Sequence, residues 1–151
     1  MMNTVLYFAY GSNLDEAQMR SRCPSARRAA RALLPGHALA FGGFSHRWGG
    51  AVASVVRARG REVSGLLYAV ARDEVALLDR FEGSPHAYQR IVRIVVDERG
   101  RRRRAQLYVQ PEDDLLRWMP AAEYFAVILR AYVRLGFDRQ GLAQAITGGP
   151  K

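Results

Sequence analysis

The apolar run Val5-Leu6-Tyr7-Phe8-Ala9-Tyr10 ends at Gly11, and Ser12-Asn13 then lead into Leu14. A run of this kind reads as a buried strand, and the polar triplet as a tight turn into a helix beginning near Leu14. The rest of the chain is expected to be built around that turn. A strand running into such a turn leaves several backbone N–H groups facing one small concavity, which suits a carboxylate or a developing oxyanion. Gly11 lets the backbone come close to a ligand. Ser12 and Asn13 add short polar side chains, and either is a candidate helix cap. The competing reading is a capped turn with no ligand.

At 151 residues the chain has room for one domain with a real core, taken as residues 1–151. Its 49% hydrophobic and 25% charged residues match an ordinary globular protein, so disorder is expected only at the ends. The apolar N-terminal run has no basic leader or cleavage site, and no run approaches about 18 apolar residues. A soluble, cytoplasmic protein with no membrane partner is the expectation. Cys23 is the only cysteine, which excludes an intrachain disulfide and a cysteine-based zinc site. A net charge of +9 makes nucleic acid or an anionic substrate the first partners to weigh. Of the 23 basic residues only Lys151 is a lysine, and an arginine bias this strong is equally explained by the nucleotide composition of the gene.

Along the chain, Leu14 to Arg22 reads as a short helix ending before Cys23-Pro24. Arg27 to Phe44 reads as two strands joined at Pro35-Gly36. Residues 44–50 form a loop, and Ala51 to Arg57 and Val63 to Val70 read as two strands turning at Arg59-Gly60-Arg61. Asp73 to Phe81 has helical periodicity, with Val75, Leu78 and Glu82 on one face, Asp73 as N-cap and Gly83 as stop. Tyr88 to Asp97 and Ala105 to Val109 form a hairpin turning at residues 98–101, so most of Arg101 to Arg104 lies on a solvated tip. Pro120 starts a helix over Ala121 to Leu135 that Gly136 stops, and a last helix spans Asp138 to Ile146 before a frayed tail. With no repeat or linker, the pattern is a single α+β domain.

Glu82 stands out chemically. Burial on an apolar helix face and the negative end of the helix dipole both raise a carboxylate's pKa, which suits a general acid/base. The alternative is an early-fraying helix with Glu82 in water. Cys23 lacks a partner histidine and reads as structural. His37, His46 and His86 lack ligand spacing, so no metal site is expected. Ser12 lacks the Gly-x-Ser-x-Gly frame of a nucleophile elbow.

The strings Tyr7-Phe8-Ala9-Tyr10-Gly11-Ser12-Asn13-Leu14, Arg22-Cys23-Pro24-Ser25-Ala26, Trp48-Gly49-Gly50, Val63-Ser64-Gly65-Leu66-Leu67-Tyr68 and Leu77-Leu78-Asp79-Arg80-Phe81-Glu82-Gly83, with Tyr88, resemble in order the γ-glutamylcyclotransferase-like family over roughly residues 4–136. The resemblance implies a small mixed β-barrel flanked by helices. It also implies conversion of a γ-glutamyl amide or amino acid to 5-oxoproline and a free amine, by attack of the substrate's own α-amine. Glu82 would be the acid/base residue, and Tyr10, Gly11, Ser12, Asn13 and Leu14 would hold the γ-glutamyl group. Tyr7 and Tyr124 would line the pocket, Tyr124 through a looser match of Met119 to Tyr124 to the family's Pro-x-x-x-Tyr segment. No cofactor or metal is required, and the partner would be a small γ-glutamyl substrate rather than nucleic acid. The alternative is a ligand- or nucleic-acid-binding protein that keeps the pocket without the activity.

Overall fold

The computed structural model describes residues 3–82, 88–111 and 119–147, and the side chain of Glu82 falls outside that description. Strands β1 (Thr4–Ala9), β2 (Arg27–Ser45), β3 (Gly50–Ala71), β4 (Gln89–Asp97) and β5 (Arg102–Val109) close into a barrel in the order β1-β3-β2-β4-β5. Helices α1 (Glu16–Arg22), α2 (Val75–Glu82), α3 (Ala122–Leu135) and α4 (Gln140–Ile146) flank it, giving the expected α+β barrel. None of the described helices is long and apolar enough to cross a membrane.

β1 runs into the core at its C-terminal end. Tyr7 and Ala9 point to one face and Phe8 to the other, and all three are buried, so both faces are covered. β1 pairs antiparallel with β3 along its length and parallel with β5 at Tyr7–Gln106. The approach to β3 depends on Gly65, where a Cβ would lie 2.5 Å from both the Ala9 carbonyl oxygen and the Phe8 ring. Any side chain there would push the two strands apart.

Both hairpin turns expected within residues 27–70 are absent, because β2 and β3 each run unbroken through their glycine. Pairing steps from Pro35–Glu62 to His37–Arg57, so Gly36 faces residues 58–61 across one large bulge. Gly36 and Gly60 take φ of 74° and 78°, the left-handed backbone a turn would also need. The flanks keep pairing, so the ribbon bends instead of reversing. One half of the ribbon can therefore build the barrel wall while the other carries the 46–49 turn outward.

The helix ends also differ in detail. Asp15 caps α1, its Oδ1 accepting from the Ala17 and Gln18 N–H groups at 3.0 and 3.4 Å, whereas Ser12 and Asn13 use their side chains elsewhere. Asp73 sits inside a 3-10 turn, Arg72–Glu74, rather than capping α2. Val75 and Leu78 are buried as their spacing predicts, and the Gly83 stop lies outside the described residues. α3 buries Tyr124, Ile128, Ala131, Tyr132 and Leu135 along one stripe and ends at Gly136, with Phe137 N–H donating back to the Tyr132 carbonyl. Of the expected tail only Thr147 is described.

The β4–β5 hairpin turns at residues 98–101 as expected, but its arginines are not simply solvated. Asp97 is buried at the turn, its Oδ1 accepting from Arg99 and Arg101 N–H and its Oδ2 from the Arg101 and Arg103 guanidiniums. These bonds, the Arg101 backbone N–H foremost, hold the Asp97 carboxyl below its ordinary range. A depressed pKa contributes stability above the unfolded-state value that is lost as pH falls through the folded-state value. Asp97→Asn should therefore lower the urea midpoint at pH 7, and its deficit against the parent should shrink steadily below about pH 4. A deficit independent of pH would show that the charge on Asp97 does not hold the hairpin.

Candidate active site

A cleft of about 420 Å³ opens at one end of the barrel. It forms where β1, β5 and the outward half of the β2–β3 ribbon end, and where α2 and α3 approach. The turn after β1 is a 3-10 turn over Ser12–Leu14. Its first internal bond runs from Leu14 N–H to the Gly11 carbonyl at 3.0 Å, so the turn itself does not use the N–H groups of Gly11 and Ser12. Tyr7, Tyr10, Gly11, Ser12 and Asn13 line the cleft, as does Tyr124. Leu14 stands apart from that expected set. Its side chain is fully buried in the core and its N–H is spent on Gly11, so it anchors the turn instead of facing the cleft.

Asn13 fixes the turn in place. Its Nδ2 donates to the Tyr7 hydroxyl at 3.0 Å, its Oδ1 accepts from Gln18 and Arg22, each at 3.1 Å, and its carbonyl accepts from the Tyr68 hydroxyl at 3.0 Å. Gln18 also donates to the Ser12 hydroxyl at 2.7 Å. The Tyr68 phenol is pushed well above its ordinary value by burial and stays a neutral donor. Arg22 reaches further, its guanidinium lying 5.3 Å from the centroid of the Phe81 ring. Phe81 and Arg80 both line the cleft, so Arg22 ties the Asn13 turn to the last turn of α2, the helix that ends at Glu82.

The opposite wall is organised around Ala53 of β3. Its N–H donates to the Tyr124 hydroxyl and its carbonyl accepts from the Tyr88 hydroxyl, both at 2.8 Å. Trp48 packs edge-on to Tyr124 at 5.1 Å between ring centroids. Gly11 closes against this wall, since a Cβ there would lie 3.2 Å from the Ala53 Cβ and 3.3 Å from the Tyr124 oxygen. Gln110 is buried beyond β5 and donates to the Val52 carbonyl at 3.0 Å. It lies so close to Gly43, at φ 61°, that any Cβ on Gly43 would overlap its side-chain oxygen. Tyr108 donates to Asp79 at 2.6 Å, and Asp79 pairs with Arg90 at 3.4 Å, which docks α2 on the β4–β5 hairpin.

Reading the residues alone gave no role to Arg47, Tyr108 or Gln110, and placed Arg22, Trp48 and Tyr88 only within strings of resemblance. The available signals were the Gly42-Gly43 pair after Phe41 and a glutamine directly ahead of Pro111 at a strand end. Cys23 lies outside the cleft lining and is buried, its Sγ bonded to Glu74 at 3.3 Å. Burial and that carboxylate push the thiol up to about 11, which suits a structural residue and not a nucleophile. His86 lies outside the described residues, among which no cluster of three or more His, Cys, Asp or Glu could hold a metal ion.

A closed barrel whose open end carries a polar turn, a wall of tyrosines and several arginines defines an α+β protein with a polar cleft at the end of its barrel. Residues 7–126 match the family model described as "Gamma-glutamyl cyclotransferase, AIG2-like", and the chain belongs to that family. It is similar to the γ-glutamylcyclotransferase of Mus musculus, 36% identical over 100 residues that cover 64% of this chain and 53% of the mouse protein. The Homo sapiens γ-glutamylcyclotransferase is 37% identical over 82 residues, covering 52% of this chain and 44% of the human protein. The chain thus spans about half the length of the curated relatives it matches. Among solved structures, one described as "Gamma-glutamyl cyclotransferase" superposes with a TM-score of 0.86 at 25% identity, covering 99% of this chain and 90% of the other. A yeast γ-glutamyl cyclotransferase described as specific to glutathione shares the fold, with a TM-score of 0.72 at 13% identity over 95% of this chain and 94% of its own.

The Tyr124 hydroxyl accepts a backbone N–H that is buried with it. Tyr124→Phe would leave the Ala53 donor without that acceptor, at a cost of about 1–3 kcal/mol. Urea denaturation should show a loss in that range, and an unchanged midpoint would mean that the Tyr124–Ala53 bond does not brace the wall.

Proposed function

We propose that this protein is a cyclotransferase that converts a γ-glutamyl amide or amino acid to 5-oxoproline and a free amine. The observation that carries this reading is the Arg22 bridge, which brings the Gly11–Asn13 turn and the end of α2 to one cleft. The described cleft residues include no cysteine or serine–histidine pair, and the proposed reaction needs no protein nucleophile, because the substrate supplies its own.

The α-amine of a γ-glutamyl substrate is an ammonium at neutral pH and must lose a proton before it attacks. Glu82 accepts that proton. The amine nitrogen then bonds to the γ-carbonyl carbon, and the carbonyl oxygen takes up the electron pair as an oxyanion. As the oxyanion collapses, the bond to the leaving amine breaks and Glu82 returns its proton to that nitrogen. Glu82 then takes the second proton from the ring nitrogen, leaving the lactam N–H of 5-oxoproline, and passes it to the released amine, which departs as an ammonium. Holding the glutamyl chain folded into a five-membered ring supplies much of the rate by removing the entropy of closure. Backbone N–H groups of Gly11 and Ser12 serve the negative charge, while Tyr7, Tyr10 and Tyr124 shape the pocket. The phenolic protons of Tyr10 and Tyr88 are held by the Tyr108 and Ala53 carbonyls, so these rings are firm walls that need no reordering on binding.

Glu82→Gln retains the side-chain volume but cannot accept the ammonium proton. Incubation with γ-glutamyl amino acids, γ-glutamyl amines and glutathione, followed by 5-oxoproline analysis, should show turnover by the parent. The variant should fall by about 10²- to 10⁴-fold with its thermal midpoint preserved. Near-parental turnover by a folded variant would remove Glu82 from the mechanism. Absence of 5-oxoproline from the parent with every substrate would favour a binding protein that keeps the pocket.

A further inference from the structure

Two arginines reach the cleft from separate elements, Arg47 from the 46–49 turn and Arg80 from α2. Both are exposed, and among the described residues neither has an ion-pair partner. Some surface arginines are neutralised locally, Arg20 and Arg28 by Glu16, Arg31 by Glu98, and Arg101 and Arg103 by Asp97, whereas among the described residues Arg47 and Arg80 are not. The described residues that line the cleft include no aspartate or glutamate. A third arginine, Arg22, lies buried deeper against Asn13. These three guanidiniums outnumber the one carboxylate, Glu82, that the proposed mechanism brings to the cleft, so the net field there concentrates ligands of negative charge.

A γ-glutamyl group seated against the Gly11–Asn13 turn accounts for one carboxylate deep in the cleft. Its leaving portion must extend toward the open side, where the exposed side chains of Arg47 and Arg80 stand. We propose that Arg47 and Arg80 are specificity residues that select γ-glutamyl substrates by the negative charge on the leaving amine. An acidic leaving amino acid is preferred over a neutral one, and a neutral one over a simple amine. This inference rests on the cyclotransferase reading above and adds to it the class of leaving group.

The test compares γ-glutamyl-glutamate, γ-glutamyl-alanine and γ-glutamyl-ethylamide by kcat/KM for 5-oxoproline release. The expected order follows the number of leaving-group carboxylates. The differences should narrow as salt rises toward 1 M, where the screening length falls to about 3 Å. Arg47→Gln and Arg80→Gln should each cut the preference for γ-glutamyl-glutamate over the ethylamide by roughly two- to fivefold, mainly through KM. A parent that favours the ethylamide, or a preference unchanged in both variants, would overturn the proposal even though the cyclotransferase reading stands. If none of the three releases 5-oxoproline, that reading fails and calorimetric binding decides the proposal. Tighter binding of γ-glutamyl-glutamate than of the ethylamide, weakened in both variants, upholds it, and equal binding overturns it.

Discussion

The site depends on the hydrogen bonds of one buried amide. Asn13 is 4% exposed, and its side chain must both donate and accept: Nδ2 serves the Tyr7 hydroxyl, and Oδ1 takes Gln18 and Arg22. Aspartate would keep the two bonds to Oδ1 but could not donate to Tyr7, and leucine would lose all three side-chain bonds. Through this amide and the adjoining carbonyl, β1, α1 and β3 meet at one point. A polar cluster buried and satisfied in this way is stiff, because each bond orients the next. The turn is therefore held open as a concavity whether or not anything occupies it.

That stiffness extends around the cleft. Gly11 lies against Ala53, both backbone polar groups of Ala53 are met by tyrosine hydroxyls, and Tyr108 holds α2 through Asp79. A ligand entering such a site loses freedom but finds walls already ordered, which favours a reaction whose main barrier is folding a flexible chain into a ring. The same walls are rich in arginine, and the protein as a whole carries +9. Part of that charge has a structural use, as at Asp97, where a single buried carboxylate gathers two guanidiniums and two backbone N–H groups.

The α+β character and the turn at Gly11 were legible in the sequence because both rest on local chemistry, an apolar run that stops at glycine and an apolar stripe on α3 that ends at Gly136, whereas closure into a barrel was expected only from the family resemblance. The two absent hairpins show where local chemistry stops deciding. Pro35-Gly36 and Arg59-Gly60-Arg61 meet the requirements of a turn and of a bulge equally well, and the choice depends on whether the flanking segments keep pairing with each other across the sheet. Cap choice failed for a related reason, since Ser12 and Asn13 can cap a helix only if no stronger partner claims them, and Gln18, Arg22 and Tyr7 do. Arg47, Tyr108 and Gln110 come together only when the ends of three strands converge, and nothing in their own neighbourhoods marks them.

The central claim is that the Gly11–Asn13 turn receives the γ-glutamyl group. It is tested most directly by following assigned backbone amides in an NMR titration with a γ-glutamyl analogue that lacks the α-amine and so cannot cyclise. The account predicts saturable shifts concentrated at Gly11, Ser12 and Asn13, with smaller ones at Ala53 and the end of α2. Shifts confined to the arginine-rich hairpin at residues 98–104, with the Gly11–Asn13 amides unmoved, would contradict it.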